Sequence, residues 1–121
     1  YFTCIGEKSR LDGLYAAVQS SFDIRSIYER ETYQTDYWCE IMPDTTSKGT
    51  AAKVLKDLLG AKKIVAFGDA PNDMSLFAVA DECYAVKNAD ALLKANASGV
   101  IGYSEEDAVV KFLREYISKF I

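Results

Sequence analysis

The sequence predicts an α/β fold in which a parallel sheet is flanked by helices. Three observations carry that reading. Ile64-Val65-Ala66-Phe67 is an unbroken apolar run, as a strand buried on both faces reads, and Gly68 and Asp69 end it at once. A second such run, Cys83 to Val86, follows after a short helical stretch. Stripes of apolar residues at helical spacing precede and follow both runs.

Taken in order, Tyr1 to Ile5 is apolar and β-prone and ends at Gly6. The chain opens directly in this strand, which gives the expectation that something upstream is missing. Ser9 and Asp12 have capping-box spacing, and Leu11, Leu14, Tyr15, Val18 and Phe22 share a helical face, so a helix is expected from about Arg10 to Ser21. Ile24 to Glu31 and Asp36 to Met42 are rich in Ile, Tyr and Trp and read as an antiparallel hairpin around Thr32-Tyr33-Gln34-Thr35. Pro43-Asp44-Thr45-Thr46 is linker-like and marks a boundary between residues 1–43 and 44–121.

After the boundary, Ala51, Val54, Leu55, Leu58 and Leu59 form a helical stripe, and Gly60 suits the position after the helix end. The strand at Ile64 follows, then a short helix from Met74 to Ala80. Asn88 is placed to cap a helix reaching about Ala95, and Gly99-Val100-Ile101 is a short third strand. Ser104, Glu105, Glu106 and Asp107 form an acid-rich helix start. Val109, Phe112, Leu113, Tyr116, Ile117 and Phe120 then line the face expected to pack on the sheet.

Composition narrows the chemistry. The chain has 121 residues, half of them hydrophobic, which is enough to build a core. Its net charge is −4 and it has no basic patch, so nucleic acid and acidic membrane surfaces are not expected partners. No apolar stretch approaches the ~18 residues of a membrane span. The three cysteines, Cys4, Cys39 and Cys83, are far apart in sequence and sit in apolar runs. They read as reduced core residues of a cytoplasmic protein, not as a disulfide framework or a zinc site. With no histidine, Ser-His and Cys-His nucleophiles and His-ligated zinc are excluded. Carboxylates, lysine or arginine, and an oxygen-bound metal remain.

The helix beginning near Ser47 runs antiparallel to the strand that follows it, so helix start and strand end meet at one sheet edge. That edge gathers Lys48, Asp69, Asn72 and Asp73. Alone, Gly-Asp after a strand is also ordinary turn chemistry, Asn-Asp before a helix an ordinary cap, and Lys48 an ordinary surface lysine. Together they form a site able to hold Mg²⁺ through carboxylates and an anion through lysine and backbone N–H groups, as phosphoryl transfer requires.

Ser47-Lys48-Gly49 followed by Gly68-Asp69-Ala70-Pro71-Asn72-Asp73-Met74 resembles the third and fourth motifs of the haloacid dehalogenase (HAD) superfamily, in its Cof-like phosphatase branch with a large α/β cap. Ala85-Val86-Lys87-Asn88-Ala89, Glu106-Asp107-Ala108-Val109 and Cys39-Glu40-Ile41-Met42-Pro43 extend the resemblance, which is good from about 38 to 114. It implies a Rossmann-like core for 44–121 and the end of a cap domain for 1–43. It also implies a Mg²⁺-dependent phosphohydrolase of small phosphomonoesters, often sugar phosphates, working through an aspartyl-phosphate. Lys48 would contact the phosphoryl group and the nucleophile. Asp69 would ligate Mg²⁺, Asp73 would hold it through water or orient the ligands, and Asn72 would contact phosphate or brace the loop.

The family's nucleophile motif, Asp-x-Asp-Gly, does not occur in these residues; Asp12-Gly13 lacks the second Asp and sits in a helical pattern. The chain is therefore expected to be the C-terminal portion of such a protein, inactive alone. Because Ile64 to Phe67 would lose its neighbouring strand, it is also expected to self-associate or to pair with the missing N-terminal half. Two other readings stand beside this one. The first is a non-catalytic module that binds Mg²⁺ or phosphate or only self-associates. The second is a receiver-type phosphoacceptor domain, which requires its acids early and its lysine late, the reverse of the order here.

Overall fold

The computed structural model describes residues 1–31 and 34–121 and divides into two compact units, Tyr1–Thr46 and Ser47–Ile121. The first unit contains β1 (Phe2–Gly6), α1 (Lys8–Gln19), β2 (Ile24–Arg30) and β3 (Tyr37–Pro43). Its antiparallel sheet has the order β1-β3-β2. Cys39 on the central strand faces Cys4 on one side and Tyr28 on the other. Leu11 and Val18 of α1, with Cys39 and Met42 of β3, are its buried apolar residues. The hairpin expected between β2 and β3 is present, with the Glu31 N–H donating to the Asp36 carbonyl at 2.9 Å. Thr32 and Tyr33, in the expected turn, lie outside the described residues.

The start of α1 differs from the expected one. The helix begins at Lys8, and the residue before it, Glu7, makes no side-chain cap. Asp12 does not close a capping box with Ser9. It binds Lys8 Nζ at 2.8 Å and accepts from the Tyr28 hydroxyl at 2.7 Å, since a charged donor and a sheet phenol offer it more than a helix-end amide. Tyr28 also stacks on Tyr15, so this bond docks α1 on the sheet.

The second unit contains α2 (Lys48–Leu59), β4 (Val65–Gly68), a 3-10 turn (Pro71–Asp73), α3 (Met74–Phe77), β5 (Glu82–Ala85), α4 (Ala91–Ala95), β6 (Gly99–Val100), a second 3-10 turn (Ser104–Glu106) and α5 (Ala108–Ser118). Strands β4, β5 and β6 form a parallel sheet in that order, with Gly68 opposite Ala85 and Ala85 opposite Val100. Ala66, Cys83 and Ala85 join Phe77, Val86, Ala89 and Leu93 in the buried core. The alternate strand positions carry Phe67 and Tyr84, whose rings meet Phe112 of α5 at 5.7 and 4.3 Å. The sheet is thus covered on two sides, as the unbroken apolar runs required.

Several local expectations are corrected. Asn88 does not cap α4; Asp90 does, accepting from the Leu92 and Leu93 amides. Asn88 is held elsewhere, exchanging hydrogen bonds with Ser104 at 2.9 and 3.0 Å. The acidic run at 104–107 does not open α5 but forms the second 3-10 turn. Asp107 breaks it with φ 55°, a left-handed conformation that Asp tolerates, so the helix starts at Ala108. The helix expected from Met74 to Ala80 is a single turn, Met74–Phe77. Asn72 and Asp73 do not cap it; they lie within the 3-10 turn that precedes it.

Leu93 is wholly enclosed by the α4–sheet core. Leu93→Ala is expected to lower unfolding free energy by about 2–5 kcal/mol, measured by urea denaturation. A loss below half that range would show that the cavity collapses.

Candidate active site

The first turn of α2 is fixed at both of its ends. Ser47 Oγ accepts from the Thr50 amide at 3.0 Å and Thr50 Oγ1 accepts from the Ser47 amide at 2.9 Å, a reciprocal cap that sets where the helix begins. Lys48 is the first helical residue. Gly49 behind it lies against α3, where a Cβ would fall 2.1 Å from the Ser75 carbonyl oxygen. Its amide donates to Ser75 Oγ at 3.3 Å. Only glycine permits this approach.

The tip of β4 is fixed as closely. The Gly68 carbonyl accepts from the Val86 amide at 3.2 Å and the Asp69 carbonyl from the Asp90 amide at 2.9 Å, tying the tip to the loop after β5. Asp73 turns back under the tip. Its Oδ2 accepts from the Asp69 and Ala70 amides at 3.0 and 3.3 Å. A Cβ on Gly68 would come 2.7 Å from that of Asp73, so this position too admits only glycine. Pro71 opens the turn where its missing N–H costs nothing.

Lys48 Nζ pairs with Asp73 Oδ1 and lies 3.4 Å from Asn72 Oδ1. The structure therefore brings three of the four sequence-predicted residues into one network. The fourth, Asp69, sits on the same tip through its backbone, but its carboxylate is exposed and has no partner among the described residues. Asp73 is 4% exposed. Burial pushes its carboxyl up, but Lys48 and the two amides outweigh burial and hold it below its ordinary value. It is thus an anion with three donors, one of them Lys48, which keeps half its side chain in solvent.

Both oxygens of Asp73 are engaged, which leaves Asp69 as the free carboxylate of this edge. No group of three Asp, Glu, Cys or His side chains that could close around a metal occurs among the described residues. Ser75 and Asp90, which fix Lys48 and the β4 tip, were not singled out by sequence reasoning. Asp90 carried a signal, an acidic residue just before Ala91-Leu92-Leu93. Gly49, a helix glycine beside a candidate lysine, pointed to a close contact without naming Ser75.

The family model for haloacid dehalogenase-like hydrolases matches residues 2–113. The chain belongs to this family. It is 33% identical over 118 residues to a phosphoglycolate phosphatase of Sulfurisphaera tokodaii, covering 93% of this chain and 52% of that protein. It is 37% identical over 81 residues to the 5-amino-6-(5-phospho-D-ribitylamino)uracil phosphatase YwtE of Bacillus subtilis, covering 65% of this chain and 28% of that one. The chain thus spans about half the length, or less, of these relatives. Among solved structures, a haloacid dehalogenase-like hydrolase from Bacteroides thetaiotaomicron shares the fold with a TM-score of 0.76 at 22% identity, covering 94% of this chain and 43% of that one. A Thermotoga maritima protein gives 0.73 at 27% identity, with 93% and 42% covered. The α/β fold read from the sequence is that of this HAD-like family.

The Asp73 network generates a pH test. A carboxyl held below its ordinary value contributes stability that is complete above the unfolded pKa, about 3.9, and is lost as pH falls through the folded value. Asp73→Asn is expected to cost about 1–2 kcal/mol at pH 7, the low end because Lys48 is half in solvent. The difference should shrink below about pH 4 in thermal melts of the two proteins. A constant difference down to pH 2 would mean that the charge of Asp73 is not what stabilises the turn.

Proposed function

We propose that this chain supplies the lysine-bearing and aspartate-bearing part of a Mg²⁺-dependent phosphohydrolase for small phosphomonoesters such as sugar phosphates. The observation that carries the reading is the β4 tip, where Lys48 is held by Asp73 beside Asn72 while the Asp69 carboxylate stays free. The relatives named as phosphatases of phosphoglycolate and of a phosphorylated ribitylaminouracil support a small phosphorylated substrate. Lys48 offsets negative charge on the phosphoryl oxygens and Asn72 contacts or braces them.

Asp69 fits a hard cation because its exposed carboxylate has no partner among the described residues. Bound there, Mg²⁺ supplies a counter-charge to phosphate and a template for its orientation. Asp73 fits the role of orienting: it grips the amide of the very residue that would ligate the metal, and fixes Lys48 with its other oxygen. The aspartate nucleophile is proposed to lie in an Asp-x-Asp-Gly segment outside these residues, with residues 1–43 ending a cap domain and 44–121 forming part of the core. A cytoplasmic setting belongs to the same proposal and rests on the free cysteines.

Two measurements check the site. NMR titration with Mg²⁺ is expected to give weak shifts at the β4 tip that vanish in Asp69→Asn; equal responses in the two proteins would remove Asp69 as the ligand. The 121-residue chain is expected to show no turnover of phosphomonoesters. In a longer protein that carries the Asp-x-Asp-Gly segment, Lys48→Ala should lower kcat on the order of 10²-fold or more. Magnesium-dependent turnover that copurifies with the short chain would refute the division of the site.

The second unit also carries an open edge. Among the described residues β4 pairs only with β5, and Val65-Ala66-Phe67 offers no charge or proline to discourage a further strand. Beside it, Val54, Leu55, Leu58 and Leu59 of α2 stay more than half exposed. We infer that β4 takes a partner: a second copy when the chain is alone, and the nucleophile-bearing segment in a longer chain. Light scattering at tens of micromolar should give a dimer or larger. A monomer with protected β4 amides would show that the edge is covered from within.

A further inference from the structure

Two of the three cysteines that look remote in sequence are direct neighbours in the sheet. Cys4 on β1 is the register partner of Cys39 on β3. Residues directly opposite in an antiparallel ladder point to the same face. Their Cα atoms stand about 4.5 or 5.5 Å apart according to the type of pair. Both separations lie within the roughly 4.4–6.8 Å that a disulfide spans. Both thiols are free, Cys39 fully enclosed and Cys4 partly accessible. On its other side Cys39 faces Tyr28, whose hydroxyl is committed to Asp12, so its thiol-bearing neighbour in the row is Cys4. Cys83 belongs to the second unit, where its thiol meets the Asn96 carbonyl at 3.5 Å.

We propose that Cys4 and Cys39 are a redox pair that closes reversibly to a cross-strand disulfide by exchange with a low-molecular-weight disulfide such as oxidised glutathione. The roles follow from exposure. Cys4, the accessible thiol, loses its proton and attacks one sulfur of the small disulfide; that S–S bond breaks and one small thiolate leaves. Cys39 then loses its proton and attacks the Cys4 sulfur, forming the Cys4–Cys39 bond and expelling the second thiolate. The two expelled thiolates take up the two protons, so two protein thiols are oxidised and one small disulfide is reduced to two thiols. Burial, and then the neighbouring Cys4, hold the Cys39 thiol above its ordinary value, which fits Cys39 as the second thiol to react and not the first. The bond would staple β1, which pairs only with β3 among the described residues, to the centre of its sheet. The pair lies on β1 and β3 and uses none of the residues assigned to phosphate or metal, so it stands or falls apart from the phosphatase reading.

The test equilibrates the 121-residue chain in reduced and oxidised glutathione at graded ratios, quenches with acid, and reads intact mass, alkylatable thiols and linked peptides. The expected result is loss of the mass of two hydrogens, a fall from three alkylatable thiols to one, and a Cys4–Cys39 linked peptide, reversed by dithiothreitol. Cys83→Ala should still form the link, and Cys39→Ala should stop at a glutathione adduct on Cys4. Three alkylatable thiols at the most oxidising ratio, or a link through Cys83, would overturn the pairing. Peptide mapping of the unmodified sequence decides this even where a variant does not fold.

Discussion

The second unit depends on a single carboxylate. Asp73 accepts from the Asp69 and Ala70 amides with one oxygen and pairs with Lys48 through the other. The first pair of bonds closes the turn after β4, and the second joins that turn to the start of α2. A neutral side chain could satisfy the amides or the ammonium, but not all three with full charge. The turn, the lysine and the free carboxylate of Asp69 therefore stand in one arrangement because one buried anion faces three donors.

Two glycines make that arrangement sterically possible. Gly68 leaves the space that the Asp73 side chain occupies, and Gly49 lets the first turn of α2 rest on the carbonyl of Ser75. Neither needs an unusual backbone conformation, since both have negative φ. What they supply is the absence of a Cβ where two pieces of chain meet. Lys48 and Asp73, separated by 25 positions, are held together because the crossover between them is short and pinned at each end by such a contact.

How far the sequence revealed this follows the range of each interaction. The buried runs around Ala66 and Cys83 were legible because a strand covered on both faces needs continuous apolar residues. The start of a helix near Ser47 was legible from the linker before it and the apolar stripe after it, whereas its reciprocal cap with Thr50 was not singled out. The Lys48, Asp69, Asn72 and Asp73 edge followed from the antiparallel course of a helix and the strand after it. Two of the misreadings concern polar groups with remote partners. Asp12 was assigned to a helix end and goes to Tyr28; Asn88 was assigned to another and goes to Ser104. Local spacing names one plausible partner, and it cannot see a better donor across the sheet. The same limit hid the facing of Cys4 and Cys39, which is a matter of strand register.

Register also explains why the free carboxylate is Asp69 and not Asp73. Parallel pairing of Gly68 with Ala85 brings the loops after β4 and β5 to one level, where Val86 and Asp90 amides take the Gly68 and Asp69 carbonyls. The backbone at the tip is then satisfied from three directions: the β5 side, the Asp73 side chain and the strand itself. The Asp69 side chain is left with no structural duty and projects into solvent at the carboxyl end of the sheet, where open α/β sheets bind ligands. An exposed acidic side chain with neither counter-ion nor donor among the described residues is poorly explained by stability. A cation held there is the partner that the proposed phosphoryl transfer would give it.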